Sequence, residues 1–169
     1  NYIDLSYPAS YDWYKNQLKT LQHAHGVKGH KIDRVDQLFD TTSAWHDGTP
    51  ENERWNKYAY LSAKAAGEAL EESHPDDHFL FARAAYNHTQ PYLDGLWGGD
   101  VWGSLDNMSS NLCNAVRCSY MGFPIWGSDG GGYQKQGDYP DDQYIRWSQF
   151  CLYSGFFEFM TDERLLWEA

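Results

Sequence analysis

The sequence alternates short apolar segments with amphipathic helical segments, and this order restricts the fold more than any other feature. Apolar residues at helical spacing predict four helices, at residues 9–25, 54–73, 105–119 and 141–156. Short apolar runs predict four strands, at residues 27–33, 78–86, 93–97 and 124–128. Short buried strands that alternate with helices form parallel sheets. The sequence therefore predicts an α/β fold, either an open doubly wound sheet or part of a (β/α)8 barrel.

The composition is that of a globular domain with a strongly acidic surface. The 169 residues are 41% hydrophobic, which suffices for the core of one domain spanning residues 1–169. The formal charge of -11 argues against a phosphate-binding surface, because an acidic field repels nucleic acid and anionic lipid. No run of about 18 apolar residues is present. We therefore expect neither nucleic acid nor a membrane as a partner, and the sequence leaves secreted and cytoplasmic locations both open.

The chain is unusually rich in aromatic residues, which make up 17% of it and include eight Trp and thirteen Tyr. Many of these rings are expected in the core. Rings with a polar tip also suit a sugar-binding cleft, where they stack on the apolar faces of sugar rings. The composition is therefore compatible with a carbohydrate ligand.

Two groups of side chains could be interpreted as metal sites. His23 and His25 form an HxH pair of the kind that metal hydrolases with (β/α)8 barrels use. This pair ends the first predicted helix, where histidines interact favourably with the helix dipole. Asp138, Asp141 and Asp142 could bind calcium, but an acidic loop that caps a helix explains them as well. The cysteines lack metal-ligand spacing, and we expect no metal and no cofactor.

Polar side chains gather at the carboxyl ends of the predicted strands, where parallel α/β folds place their sites. Along the chain they are Lys31, Asp33, Asp36, Arg83, Trp97, Asp100, Trp126 and Asp129. A charged residue in an apolar strand is costly unless it is paired. We therefore expect Lys31 and Arg83 to have carboxylate partners nearby.

Two carboxylates at different strand ends are what cleavage of a glycosidic bond requires. One attacks the anomeric carbon or guides water to it, and the other donates a proton to the leaving oxygen. Asp33 is flanked by Lys31, and a nearby cation favours the ionised carboxylate that a nucleophile needs. Asp100 lies between Trp97 and Trp102, and apolar surroundings favour the protonated form that an acid needs.

The ordered motifs of this chain resemble those of glycoside hydrolase family 31, whose members are retaining enzymes that act on α-glycosides. Three blocks resemble the nucleophile strand, the arginine-bearing strand and the acid/base block of that family: GVKGHKIDRVD, FARAAY and LWGGDVWGSLDNM. Two further blocks resemble the strand and helix that follow: SYMGFPIWGSDGGGY and IRWSQF. The resemblance implies a (β/α)8 TIM barrel of which this chain is roughly strands four to seven with their helices.

The resemblance also implies roles for individual residues. Asp33 would be the nucleophile and Asp100 the general acid/base in a double displacement through a covalent glycosyl-aspartate intermediate. The predicted substrate-binding residues are Lys31, Arg83, Trp97, Trp126 and Asp129. The substrate would be an α-linked oligosaccharide or glycoside. The partners would be the remaining barrel strands and the flanking β domains, without which we expect no activity.

Some features leave alternatives open. Asp36 stands where the family usually has Glu, and Glu158 and Met160 stand at about the positions of an arginine and a histidine that help to hold the sugar. The sequence therefore leaves open whether the substrate is an α-glucoside, an α-xyloside or an α-galactoside. A transglycosylase of the same family and a non-catalytic sugar-binding relative are the alternatives to a hydrolase.

Overall fold

The computed structural model describes residues 2–37, 43–134 and 140–159. They form two compact units, divided between Asp94 and Gly95. Each unit contains parallel strands and α-helices, which confirms the predicted α/β class. No helix in these ranges is long and apolar enough to span a membrane.

Among its described residues, the first unit contains two α-helices and two parallel strands. They are α1 (Pro8–His25), β1 (Gly29–Ile32), α2 (Arg54–Ser73) and β2 (Phe79–Ala82), with short 3-10 helices at Glu51–Glu53 and Gln90–Tyr92. Strand β1 pairs with β2 in parallel, and the register runs from Gly29 opposite Phe79 to Ile32 opposite Ala82. The strand predicted over 78–86 ends at Ala82, because Arg83 begins a loop.

Helix α1 has clear start and stop signals in the sequence. Pro8 occupies its first turn, where a missing backbone N–H costs nothing. Gly26 ends it in the left-handed conformation with φ of 64°. Lys15 and Lys19 of α1 donate hydrogen bonds of 2.8 and 2.7 Å to Glu72 of α2, and these bonds lower the pKa of Glu72 to about 2.

Helix α2 buries an alanine-rich face. Its buried apolar residues are Ala59, Ala63, Ala65, Ala66, Ala69 and Leu70. In the strand beside it, Leu80 and Ala82 of β2 have no exposed surface. Small side chains allow a helix to approach a sheet closely, so the alanines fix the distance between α2 and the strands.

The second unit repeats the parallel arrangement with shorter strands. It contains β3 (Gly95–Trp97), α3 (Leu105–Tyr120), β4 (Trp126–Gly127) and α4 (Asp141–Leu152). Strand β3 pairs with β4 in parallel, with Leu96 opposite Trp126. Ser104 caps α3, since its hydroxyl accepts a 3.1 Å hydrogen bond from the backbone N–H of Asn107.

Both helices of the second unit lie where the sequence predicts them, but the predicted end of the second one is wrong. The apolar residues Leu105, Leu112 and Val116, whose spacing predicted α3, have exposed side chains, and the buried residue of α3 is Asn111. Helix periodicity identifies an apolar face, but it does not show which neighbour covers that face. The fourth helix ends at Leu152 rather than near Phe156.

Candidate active site

Lys31, Asp33 and Arg83 lie on one face of the strands in the first unit. The strand register continues past Ala82, because the backbone N–H of Arg83 donates a 3.0 Å hydrogen bond to the carbonyl of Ile32. Side chains alternate between the two faces of a strand. Arg83 therefore lies beside Asp33 at the carboxyl ends of β1 and β2.

Arg83 bridges two carboxylates. Its Nη1 lies 3.1 Å from Oδ1 of Asp33, and its Nε and Nη2 donate hydrogen bonds of 3.2 and 3.0 Å to Oδ1 of Asp36. The Arg83 side chain is 9% exposed, whereas that of Asp33 is 41% exposed. The expected partner of the buried cation is therefore present, and Asp33 is held in place while part of its carboxylate faces outward.

The backbone also fixes Asp33. Oδ1 of Asp33 accepts a 2.7 Å hydrogen bond from the backbone N–H of Arg34. Arg34 has a positive φ of 58°, which turns the chain sharply immediately after the carboxylate. Such backbone strain in a non-glycine residue is most common at functional sites. Lys31 is two residues earlier, with its Nζ 6.0 Å from the centre of the Phe81 ring.

His30 lies on the opposite face of β1. Its Nε2 accepts a 2.9 Å hydrogen bond from the side-chain amide of Gln22, a fully buried residue of α1. Burial lowers the pKa of His30 below its usual value of 6.5. The His30 side chain therefore contacts α1, on the face of β1 opposite to Lys31, Asp33 and Arg83.

Trp97 and Asp129 share one face of the strands in the second unit. Trp97 pairs with Gly127, and Asp129 lies two residues after Gly127. Trp97 and Asp129 are almost completely buried. Asp129 also forms a parallel bridge with Glu158, and the backbone N–H of Gly130 donates a 2.8 Å hydrogen bond to the carbonyl of Glu158. The second unit thus places two acidic residues next to each other at the end of β4.

Asp100 lies on a loop that follows β3 and is half-buried. Gly99 precedes it with φ of 80°, a conformation that glycine adopts without strain. The loop is fixed by backbone hydrogen bonds: the N–H groups of Tyr133 and Gln134 donate to the carbonyl of Val101 at 2.9 and 3.2 Å. Trp102 is about half exposed. Asp100 therefore sits on a tethered loop, three residues after the buried Trp97 and two residues before the half-exposed Trp102.

Trp126 points to the other face of β4. A methyl group built on Gly98 would lie 2.1 Å from Oδ1 of Asn111 on α3 and 3.3 Å from the Trp126 ring. The face that carries Trp126 is therefore the one that packs against α3. Trp97 and Asp129 therefore lie on one face of the strands, and Trp126 lies on the other. Its contact with a sugar stays a prediction from the sequence.

A buried network beneath Asp129 was not found from the sequence. The indole N–H of Trp147 donates a 3.0 Å hydrogen bond to the hydroxyl of Ser128, and Sγ of Cys151 lies 3.3 Å from the same oxygen. Burial raises the pKa of Cys151 to about 11. The network attaches the end of β4 to α4. The block IRWSQF contains Trp147, but its letters do not reveal the partner.

Metal binding has no support from the geometry of the residues described. Among residues 2–37, 43–134 and 140–159, no group of three or more His, Cys, Asp or Glu side chains could hold a metal ion. His23 and His25 lie in the last turn of α1, where the sequence placed them. Asp138 of the possible calcium loop and Met160 lie outside the described residues.

Comparison with known proteins identifies the family. The model of the glycosyl hydrolases family 31 TIM-barrel domain matches residues 1–165. The chain belongs to this family. Its parallel strands and helices are therefore part of a TIM barrel, as the motifs predicted.

The chain spans less than a quarter of the length of the two relatives that follow. Sulfoquinovosidase from Escherichia coli strain K12 is 28% identical over 158 residues, and α-xylosidase XylQ from Lactiplantibacillus pentosus is 28% identical over 155 residues. Each alignment covers 90% of this chain, but only 23% and 20% of the two relatives.

A solved structure agrees with this result. A family 31 sulfoquinovosidase from E. rectale, in complex with an aza-sugar inhibitor, superposes with a TM-score of 0.85 and 26% identity. The superposition covers 98% of this chain and 26% of that one. The chain is therefore a fragment of the catalytic barrel.

Proposed function

We propose that the full-length protein is a retaining α-glycoside hydrolase that removes terminal α-linked sugars. The observation that supports this proposal is the placement of Asp33. This residue directly follows β1, and its carboxylate is oriented by Arg83. The family to which the chain belongs supports glycosidase chemistry in general. The names of its relatives, sulfoquinovosidase and α-xylosidase, suggest the range of sugars to be tested.

The proposed mechanism is a double displacement. Asp33 attacks the anomeric carbon while Asp100 donates its proton to the leaving oxygen, so the glycosidic bond breaks as the glycosyl-Asp33 ester forms. Asp100, now ionised, then takes a proton from a water molecule, which attacks the same carbon and releases Asp33. Two inversions leave the sugar in its original α configuration.

The neighbouring side chains suit this chemistry. Arg83 holds the Asp33 carboxylate through Oδ1, and this contact limits the orientations from which the carboxylate can attack. Lys31, Trp97 and Asp129 would hold the sugar, with the Trp97 ring as an apolar wall and Asp129 as a hydrogen-bond acceptor for its hydroxyls. In a retaining enzyme the carboxyl groups of Asp33 and Asp100 should lie about 5 to 6 Å apart.

The test uses the full-length protein and aryl α-glycosides of glucose, xylose, galactose and sulfoquinovose. We expect one of them to be hydrolysed with retained configuration, as followed by NMR of the fresh product. Asp33→Ala should abolish turnover. Asp100→Ala should spare substrates whose leaving groups need little protonation, and should slow those with poor leaving groups strongly.

A matched control is Asp12→Ala, because Asp12 is an exposed carboxylate of α1 and should not affect the rate. Full turnover by the Asp33→Ala protein would show that the nucleophile is assigned wrongly. Transfer of the sugar to an added sugar acceptor, in preference to water, would identify a transglycosylase with the same first step. Binding of a sugar without turnover of any aryl glycoside would identify a non-catalytic relative.

A further inference from the structure

We propose that the 3-10 helix at Glu51–Glu53, the first two turns of α2 and the loop after β2 form a second glycan-binding surface, which takes neutral sugar units of an oligosaccharide or polysaccharide. We call this surface the aromatic platform. Its members are Asn52, Trp55, Asn56, Tyr60, Tyr86 and Asn87. The inference goes beyond the proposed function, because binding at this surface requires no turnover.

Two adjoining cavities define the aromatic platform. One has a volume of about 300 Å³ and is lined by Tyr60 and Tyr86, among others. The other is an open groove of about 590 Å³ along Trp55. Asn52 and Asn56 line both cavities. The smaller volume is at the lower end of the range for small-molecule pockets, which suits a single sugar unit with the chain continuing into the groove.

The rings of the aromatic platform are accessible to a ligand. Trp55 and Tyr86 are each 49% exposed, although large aromatic side chains gain most when they are covered. The apolar face of a sugar ring can cover such a ring while its hydroxyls remain hydrogen-bonded at the edge. Exposed aromatic rings beside amides are therefore the chemistry expected of a glycan-binding surface.

The polar groups of the aromatic platform favour a neutral ligand. Within residues 2–37, 43–134 and 140–159, the side-chain amides of Asn52, Asn56 and Asn87 have no hydrogen-bond partner in the protein. Each amide offers both donors and acceptors, as sugar hydroxyls require. The cation at the rim, Lys57, is paired with Asp47 and donates a 2.8 Å hydrogen bond to Thr49. Glu51 also lines the groove, and Glu53 and His88 line the smaller cavity; the two carboxylates repel an anion, so the surface offers little to attract one.

The loop of the aromatic platform is held rigidly. Thr89 is fully buried, and its hydroxyl donates to the carbonyl of Tyr86 at 2.5 Å while accepting from the N–H of Tyr86 at 3.0 Å. Tyr60 is fixed by an edge contact with Tyr92, whose ring centre is 6.2 Å away. A surface that is ordered before binding loses little conformational entropy when the ligand arrives.

The test is affinity electrophoresis of the full-length protein carrying Asp33→Ala, which prevents hydrolysis. Gels contain soluble starch, dextran, xyloglucan or galactomannan, which are neutral, or alginate, which is anionic. We expect at least one neutral polysaccharide to retard the protein and alginate not to do so. Trp55→Ala and Tyr86→Ala should each increase the apparent dissociation constant about tenfold, and Trp55→Phe should restore part of the binding.

The matched control is Trp13→Ala, because Trp13 is 52% exposed on α1 and does not line either cavity. It should leave the retardation unchanged. If no neutral polysaccharide retards the protein, or if the Trp55 and Tyr86 variants are retarded as strongly as the parent, the inference is wrong. The inference is also wrong if these variants lower the melting temperature of the protein but leave its retardation unchanged. That result would mean that the rings pack against another part of the protein.

The experiments distinguish a failure of this inference from a failure of the proposed function. Retardation that depends on Trp55, in a protein that hydrolyses no aryl α-glycoside, would support the second surface and contradict the hydrolase. Hydrolysis of an aryl α-glycoside without retardation by any neutral polysaccharide would support the hydrolase and contradict the second surface.

Discussion

Arg83 holds the carboxylates of Asp33 and Asp36 in place in the first unit. A guanidinium can donate several hydrogen bonds in a fixed plane, and here that plane spans Asp33 and Asp36. Because Arg83 is almost buried while Asp33 is partly exposed, the arginine positions the carboxylate without blocking access to it. The shorter Asp36 suffices for this purpose, since Arg83 contacts it at 3.0 Å.

The substitution Arg83→Lys should reduce kcat of the full-length enzyme between about 10- and 100-fold, because an ammonium group cannot bridge both carboxylates and Asp33 loses its fixed orientation. The measurement is steady-state kinetics on the aryl α-glycoside that the parent hydrolyses best. Arg146→Lys, at an exposed position of α4, is the control and should not change kcat. An Arg83→Lys enzyme with unchanged kcat would mean that the ion pair is structural.

His30 should make the stability of the protein depend on pH. Burial lowers its pKa in the folded protein, so between the lowered pKa and the usual value of 6.5 the unfolded chain binds a proton that the folded chain does not. Its contribution to stability is therefore unchanged above about pH 6.5 and is lost as the pH falls below it.

Melting temperatures of the full-length protein and of His30→Gln between pH 7.5 and 5 measure this effect. The parent should lose more stability than His30→Gln over this range, although it should be the more stable of the two at pH 7.5. His88→Gln, at an exposed position, should keep the pH dependence of the parent. Parallel curves for the parent and His30→Gln would refute the role of His30.

At the scale of elements, the sequence predicted the order of helices and strands because its apolar spacing and its stop signals are local. Pro8 and Gly26, which mark the ends of α1, are readable without tertiary information, whereas β1 ends at Ile32, one residue before the predicted end. The predicted pairing of Arg83 with a carboxylate followed from the cost of burying a charge. Local spacing does not identify the neighbours of a side chain. It does not show that Leu112 of α3 is exposed, or that the Ser128 hydroxyl accepts a hydrogen bond from Trp147.

Helix α2 provides a test of packing between elements. Replacing glycine by alanine in a helix usually stabilises it by about 1 kcal/mol. At Gly67, however, the added methyl group would lie 2.8 Å from the backbone carbonyl oxygen of Tyr92, which cannot rotate away. Gly67→Ala should therefore lower the free energy of unfolding by about 1 to 3 kcal/mol.

Denaturant unfolding of the full-length protein measures this change. Glu71→Ala, at an exposed position of the same helix, is the control and should stay within about 0.5 kcal/mol of the parent. If Gly67→Ala were as stable as the parent or more so, the 3-10 helix at Gln90–Tyr92 would not pack against α2 as closely as the 2.8 Å distance indicates.

At the scale of the whole molecule, the two proposed catalytic carboxylates belong to different units, Asp33 to the first and Asp100 to the second. A barrel aligns such residues only when its strands form a closed ring, because closure fixes the tilt and stagger of every strand. The chain spans 23% of one curated relative and 20% of another, so strands needed for closure lie outside it.

The 169-residue chain alone should therefore be inactive on every aryl α-glycoside that the full-length protein hydrolyses. Open strand edges and the exposed apolar residues of α3, among them Leu112 and Val116, should also make it bind a hydrophobic dye and aggregate. Parallel assays of the chain and the full-length protein at equal concentration measure both effects. Turnover by the isolated chain that disappears with Asp33→Ala would show that these four strands suffice to align the carboxylates, and that barrel closure is not required for the chemistry.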